Sequence, residues 1–165
     1  MSEPAEFARA YARFLPPIQA KCRRLLGSSP AAEDVAQETF VRLWKSDVAA
    51  GGDARTVMAW LYRTCTRLAI DVLRERRWTG PPVEDAVEAT PCAVDVGAAT
   101  IARATVRSLA ASVPGEELAV AVLCRVDGLS QPEAAGVLGV SDRTVRRLLD
   151  RFDERTGSLR KEFWS

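Results

Sequence analysis

Arg143, Arg146, Arg147 and Arg151 recur at spacings that place them together on the outer surface of a helix. Arginine in such a row suits nucleic-acid binding, because its planar fork can grip a phosphate or read the O6/N7 edge of guanine in the major groove. A second cationic row, Arg63, Arg67, Arg74 and Arg77, has Trp60 at its border. Cations at phosphate spacing with an aromatic beside them can hold a single strand, the ring offering a base something to stack on. A third set, Asp34, Gln37, Glu38 and Val41, gathers three polar groups and a small apolar one within reach of each other. A solvated face is the ordinary explanation for each row taken alone. Catalysis finds no support. The chain has no histidine, no glycine-rich phosphate loop and no nucleophile-base set, so it reads as no enzyme.

The arginines of the last third need a helix to carry them, and the local sequence supplies one. In DGLSQPEAAGVLGVSDRTVRRLLDRFD (127–153), Ser130 and Glu133 form a capping box that should start a helix, and Gly139 should end it. Ser141 is placed to cap a second helix, in which Val145, Leu148, Leu149 and Phe152 repeat at i, i+3, i+4 and i+7. The spacing predicts a helix-turn-helix whose second helix buries that apolar face and presents the arginines. An ordinary helical hairpin with a basic surface is the plainer alternative.

The other rows also fall on predicted helices. Ser29 and Pro30 open one whose buried face is Ala36, Phe40 and Leu43, with Asp34, Gln37, Glu38 and Val41 opposite. A loop over 46–52 follows, and Asp53 can cap a long helix running to about Arg77. At 100 degrees per residue, Val57, Leu61, Cys65, Leu68 and Val72 share one side of it and the four arginines lie nearly opposite. Upstream, Phe7, Tyr11, Leu15, Ile18, Cys22 and Leu25 are at helical spacing, interrupted by Pro16 and Pro17, which predicts a kinked helix or two in series. Residues 79–97, with three prolines, four acids and no basic residue, read as a linker. Beyond it Ile101, Thr105, Leu109 and Val113 suggest one helix face, and Ala119, Val122, Leu123 and Val126 the next, stopped by Gly128. Residues 156–165 read as a short tail ending in Phe163 and Trp164.

The expected fold is therefore all-α, with two small helical domains (1–78 and 98–165) joined by the 79–97 linker. Net charge is only +1, unlike a freestanding DNA binder, although residues 1–78 carry about four more basic than acidic side chains. A chain so balanced should grip DNA weakly by itself. Cys22, Cys65, Cys92 and Cys124 lie far apart with no CxxC pair, so no metal site is expected and they read as small buried residues. No basic start precedes an apolar core, and no apolar run is long enough to span a bilayer, which predicts a cytoplasmic chain without membrane insertion.

Three stretches together resemble one family, the extracytoplasmic-function (ECF) sigma factors of bacterial RNA polymerase. AEDVAQETFVRLWK (32–45) is similar to that family's polymerase-docking helix, and AWLYRTCTRLAIDVLRERR (59–77) to its promoter-opening helix. LAVAVLCRVDGLSQPEAAGVLGVSDRTVRRLLDRF (118–152) resembles its promoter-reading domain. The resemblance covers nearly the whole chain, in order, with the linker where the family has one. It implies that Asp34, Gln37, Glu38 and Val41 contact core polymerase, notably the β′ coiled coil, with β a further partner. It implies that Trp60, Arg63, Arg67, Arg74 and Arg77 engage the minus-ten element and its melted nontemplate strand, and that loop 46–53 accepts a flipped base. Arg143, Thr144, Arg146, Arg147 and Arg151 would read the duplex minus-thirty-five element. An anti-sigma partner is also implied, and no cofactor.

The chain departs from the family pattern at Arg67, where Asn is usual, at Arg143 in place of Gly, at Leu148 and Asp153 in place of basic residues, and at Ala134 within EAA rather than EIA. These bear on which promoter is read, not on helicity. Two other readings stand beside this one: a regulator that binds duplex DNA through the helix-turn-helix alone, and a sigma-like adaptor without promoter recognition.

Overall fold

The computed structural model describes residues 4–27, 29–78 and 105–163. The linker expected over 79–97 and the start of the second domain lie outside the described residues. Every regular element among the described residues is helical. In order they are α1 (Pro4–Leu26), α2 (Pro30–Lys45), a one-turn α3 (Val48–Gly51) and α4 (Ala54–Trp78). A helical stretch over 105–109 leads to α5 (Gly115–Ala121), which continues as a π-helical turn (Val122–Val126). The chain then forms α6 (Gln131–Leu138) and α7 (Asp142–Phe163).

The first three long helices pack on one another in all three pairings. Their core takes Ile18, Cys22, Leu25 and Leu26 from α1, Val35, Ala36, Phe40 and Leu43 from α2, and Val57, Leu61 and Cys65 from α4. Each fully buried aliphatic of this kind contributes about 1.5–3 kcal/mol relative to remaining in water. α1 is a single helix with Pro16 and Pro17 inside it, not two in series. The two prolines delete the hydrogen bonds that would reach the carbonyls of Ala12 and Arg13, residues that are exposed, so water can satisfy what the helix does not. Its buried side is also rotated from the expected one: Phe14 and Lys21 are buried, Phe7 and Leu15 are half-buried, and Tyr11 is exposed.

The second half is built by α5 and α6 packing on α7. Val106, Ala110 and Val113 supply the buried face ahead of α5: Val113 is buried as expected, while Thr105 is exposed and Leu109 half-buried, burial falling instead on the residue after each. Leu118, Ala119, Val122 and Leu123 are buried as the periodicity requires, and Val126 is half-buried. The π turn closes with Asp127 N–H donating to the carbonyl of Val122, after which Gly128 turns the chain at φ +73. α7 continues to Phe163, so residues 156–163 extend the last helix where a tail was expected.

The two halves share one hydrophobic core because α5 and α6 pack directly on α4. That contact explains why α4 buries more than one stripe. Thr66, Ala69, Ile70 and Leu73 are buried along with Val57, Leu61 and Cys65, whereas Leu68 and Val72, expected inside, are half-buried.

Candidate nucleic-acid and partner interfaces

The helix-turn-helix is assembled by local bonds. Ser130 N–H donates to the Glu133 carboxylate at 2.8 Å, and Glu133 N–H donates back to the Ser130 hydroxyl at 3.4 Å. The bonds from Ser130 hold the Glu133 carboxyl below its ordinary value. α6 ends at Gly139, φ +68, with Val140 N–H reaching the Ala135 carbonyl at 3.1 Å, the bond that ties off a helix ending in a left-handed residue. Ser141 then caps α7 by accepting from Thr144 N–H at 3.2 Å.

With α7 started there, Val145, Leu148, Leu149 and Phe152 are buried and Arg143, Arg146, Arg147 and Arg151 are exposed. Among the described residues, none of these four guanidiniums pairs with a carboxylate. Thr144 differs: it is half-buried and its hydroxyl shares a 3.0 Å hydrogen bond with Ser141, so it also serves the cap.

On α2, Asp34, Gln37, Glu38 and Val41 are all exposed, Val41 to 42 %. Arg42 donates to Glu38 at 2.8 Å and fixes the direction of that carboxylate. Gln37 and Val41 line an open groove of about 320 Å³ with Phe7, Tyr11, Phe40 and Trp44. Its rings meet edge to face, Phe7 with Trp44 and Tyr11 with Phe40, each at 4.9 Å between centroids. Sequence reasoning missed Phe7, Tyr11 and Trp44 as surface groups because it assigned the first two to a buried face. The signal available was an excess of aromatic residues at the matching ends of two adjacent amphipathic helices.

The α4 row is split. Arg67 is exposed, Trp60 and Arg63 are half-buried, and the Arg77 side chain lies outside the described ones. Arg74 donates from Nε to the Ala110 carbonyl at 2.8 Å and from Nη2 to the Val113 carbonyl at 2.9 Å. Arg63 lies against the turn of the helix-turn-helix, where a Cβ on Gly139 would stand 3.5 Å from its Nη1. Two cations expected to face solvent thus face the second half of the molecule. The loop expected over 46–52 holds the turn of α3, and Asp53 caps α4 as anticipated, accepting from Thr56 N–H at 2.7 Å.

The halves are also joined by charge. Asp127, at the end of the π turn, accepts from the fully buried Lys21 and, at 2.9 Å, from Arg24, both on α1. Lys21 Nζ also lies 4.9 Å from the Tyr62 ring centroid. Burial, then the Asp127 charge, push the Tyr62 phenol above its usual value.

Comparison with known proteins places the chain in a family. The Sigma-70 region 2 family matches residues 10–79, and a homeodomain-like domain matches residues 116–160. The ECF RNA polymerase sigma factor SigL of Mycobacterium tuberculosis is 30 % identical over 135 residues, 76 % of this chain and 72 % of SigL. The chain belongs to the ECF sigma factors. SigE of Mycolicibacterium smegmatis is 35 % identical over 133 residues, and the match spans only about half (51 %) of that relative's length. SigW of Bacillus subtilis is 29 % identical over 153 residues, 86 % of this chain and 80 % of SigW. Among solved structures, CnrH in complex with the cytosolic domain of CnrY superposes with a TM-score of 0.58 at 25 % identity, covering 94 % of this chain and 88 % of that one. The region 2 match contains α2 and α4, and the homeodomain-like match contains the helix-turn-helix.

Proposed function

We propose that this chain binds core RNA polymerase, brings it to particular promoters and helps open them. The observation that carries the reading is the pair of separate exposed surfaces, α2 and α7, on a chain whose region 2 match and helix-turn-helix occur in family order. Asp34, Gln37, Glu38 and Val41 are the docking surface, with the β′ coiled coil as their contact and β a further one. Glu38, oriented by Arg42, is its best-defined charge. A regulator acting without polymerase would leave the region 2 match without a purpose.

Arg143, Arg146, Arg147 and Arg151 supply the major-groove contacts, with Thr144 beside them, and each unpaired guanidinium is available to a phosphate or a guanine edge. Trp60, Arg63, Arg67, Arg74 and Arg77 take the melted strand. Stacking and phosphate contacts available only to unpaired bases turn binding energy into strand separation. Arg63 and Arg74 can do this only when the second half leaves α4, because their guanidiniums now face it. Polymerase supplies cationic surface that a chain of net charge +1 lacks.

No described helix is long and apolar enough to cross a membrane, which agrees with work in the cytoplasm. The likeness to CnrH, solved with the cytosolic domain of CnrY, supports a protein partner that sequesters the chain in the manner of an anti-sigma factor. The deciding experiment mixes the purified chain with core polymerase and a promoter library and maps transcript starts. Specific starts that depend on the chain are expected. Failure to associate with core polymerase in the absence of any inhibitor would overturn the reading.

A further inference from the structure

Cys22 on α1 and Cys65 on α4 meet inside the first helical bundle, their Sγ atoms 3.2 Å apart and both side chains fully buried. Neither belongs to the polymerase or DNA surfaces. A disulfide needs about 2.05 Å between sulfurs, so a small approach of two helices already in contact would allow the bond.

The surroundings make the two sulfurs unequal. A hydrogen bond from Cys65 and the nearby Lys21 charge hold the Cys22 thiol below its ordinary value, against the opposing effect of burial. The same hydrogen bond and burial push Cys65 well up. One sulfur is easier to ionise while its neighbour stays protonated, which is the asymmetry between an attacking and a resolving thiol. Cys124 is half-buried and its thiol is raised by burial.

We propose that Cys22 and Cys65 form an oxidation site for hydroperoxides, closing a disulfide between α1 and α4. The Cys22 sulfur attacks one oxygen of hydrogen peroxide, the O–O bond breaks, and a water leaves as Cys22 becomes a sulfenic acid. The Cys65 sulfur then attacks the Cys22 sulfur, the S–O bond breaks, and the departing hydroxide takes the Cys65 proton as a second water. Two thiols lose two electrons and two hydrogens, and one peroxide becomes two waters. Peroxide is little larger than water and reaches the pair during the local openings that any marginally stable domain undergoes, so the opening of α1 from α4 sets the rate. The bond would fasten α1 to α4 beside Lys21, whose ammonium reaches across to Asp127. Oxidation therefore stiffens the molecule where its halves join.

The test treats the native full chain with hydrogen peroxide, blocks remaining thiols, and maps linked peptides by mass spectrometry without reduction. A Cys22–Cys65 linked peptide lighter by two hydrogens is expected, persisting in a Cys92→Ser/Cys124→Ser variant, absent from Cys65→Ser and reversed by dithiothreitol. The oxidised chain should melt higher by roughly 5 °C, as a cross-link across a 43-residue separation constrains the unfolded chain. Linkage through Cys92 or Cys124 instead, over-oxidation of Cys22 without linkage, or linkage only in urea would each overturn the proposal. Should Cys65→Ser fail to fold, the peptide map of the unmodified chain decides alone.

Discussion

Asp127 of the second half accepts hydrogen bonds from Lys21 of the first, and both side chains are buried. Two opposite charges removed from water stabilise little as a pair, but either one left alone is costly. Asp127→Ala should therefore lower unfolding free energy by about 3–5 kcal/mol in a urea titration, because it strands the Lys21 ammonium. Adding Lys21→Met to it should recover most of the loss. Equal and additive losses in the two single variants would show that the charges do not interact.

Loss of the capping box has a local signature. Ser130→Ala should cost about 1 kcal/mol and let Glu133 titrate at higher pH, followed by its side-chain carbon resonance. The sign follows from the depressed folded value: the bond to Glu133 contributes fully above the carboxyl's unfolded value and is lost as pH falls through the lower folded one. An unchanged Glu133 titration in the variant would detach the depression from Ser130.

Gly139→Ala places a side chain at φ +68, a backbone region that costs an L-residue about 1–2 kcal/mol. The expected result is a lowered denaturation midpoint with the denaturant slope unchanged. A new Cβ 3.5 Å from Arg63 is ordinary contact, so the loss should come from the backbone and persist in an Arg63→Ala background.

Arg146→Ala with Arg147→Ala should weaken duplex binding by the holoenzyme and reduce the log K against log salt slope by about 1 for each phosphate that is no longer neutralised. Both side chains are exposed, so the melting temperature should hardly move. Filter binding across a salt series measures the first and calorimetry the second.

Glu38→Lys reverses a charge on the α2 surface and breaks only an exposed pair with Arg42. Such i, i+4 pairs are worth about 0.3–0.5 kcal/mol, so folding should be nearly unaffected. Retention on immobilised core polymerase should fall at least tenfold. Full retention would move the docking surface away from α2.

What the sequence showed well was local. Ser130 with Glu133, Gly139, and the run Val145, Leu148, Leu149 and Phe152 lie within one or two turns of their partners, so capping and periodicity decide them. The all-helical class and the exposed α2 set followed from the same reasoning. The relationships that escaped join residues far apart. Lys21 and Asp127 are 106 positions apart, and nothing near either predicts that a lysine will be fully buried. Arg63 and Arg74 have the helical spacing expected, yet what covers them comes from residues 110–139. Cys22 and Cys65 looked like isolated filler until two helices brought them together. At Pro16 and Pro17 one helix runs through both prolines, as the single-helix alternative allowed, because the two carbonyls that lose their bonds belong to the exposed Ala12 and Arg13.

α4 forms a wall of both halves at once. The helix as a whole must therefore suit two neighbourhoods, and a buried side chain that improves packing against α1 can spoil the seat of α6. Paired substitutions that straddle this helix should fail to add, each altering the background in which the other is felt. A shift of α4 along its own axis would be transmitted to both halves in the same movement.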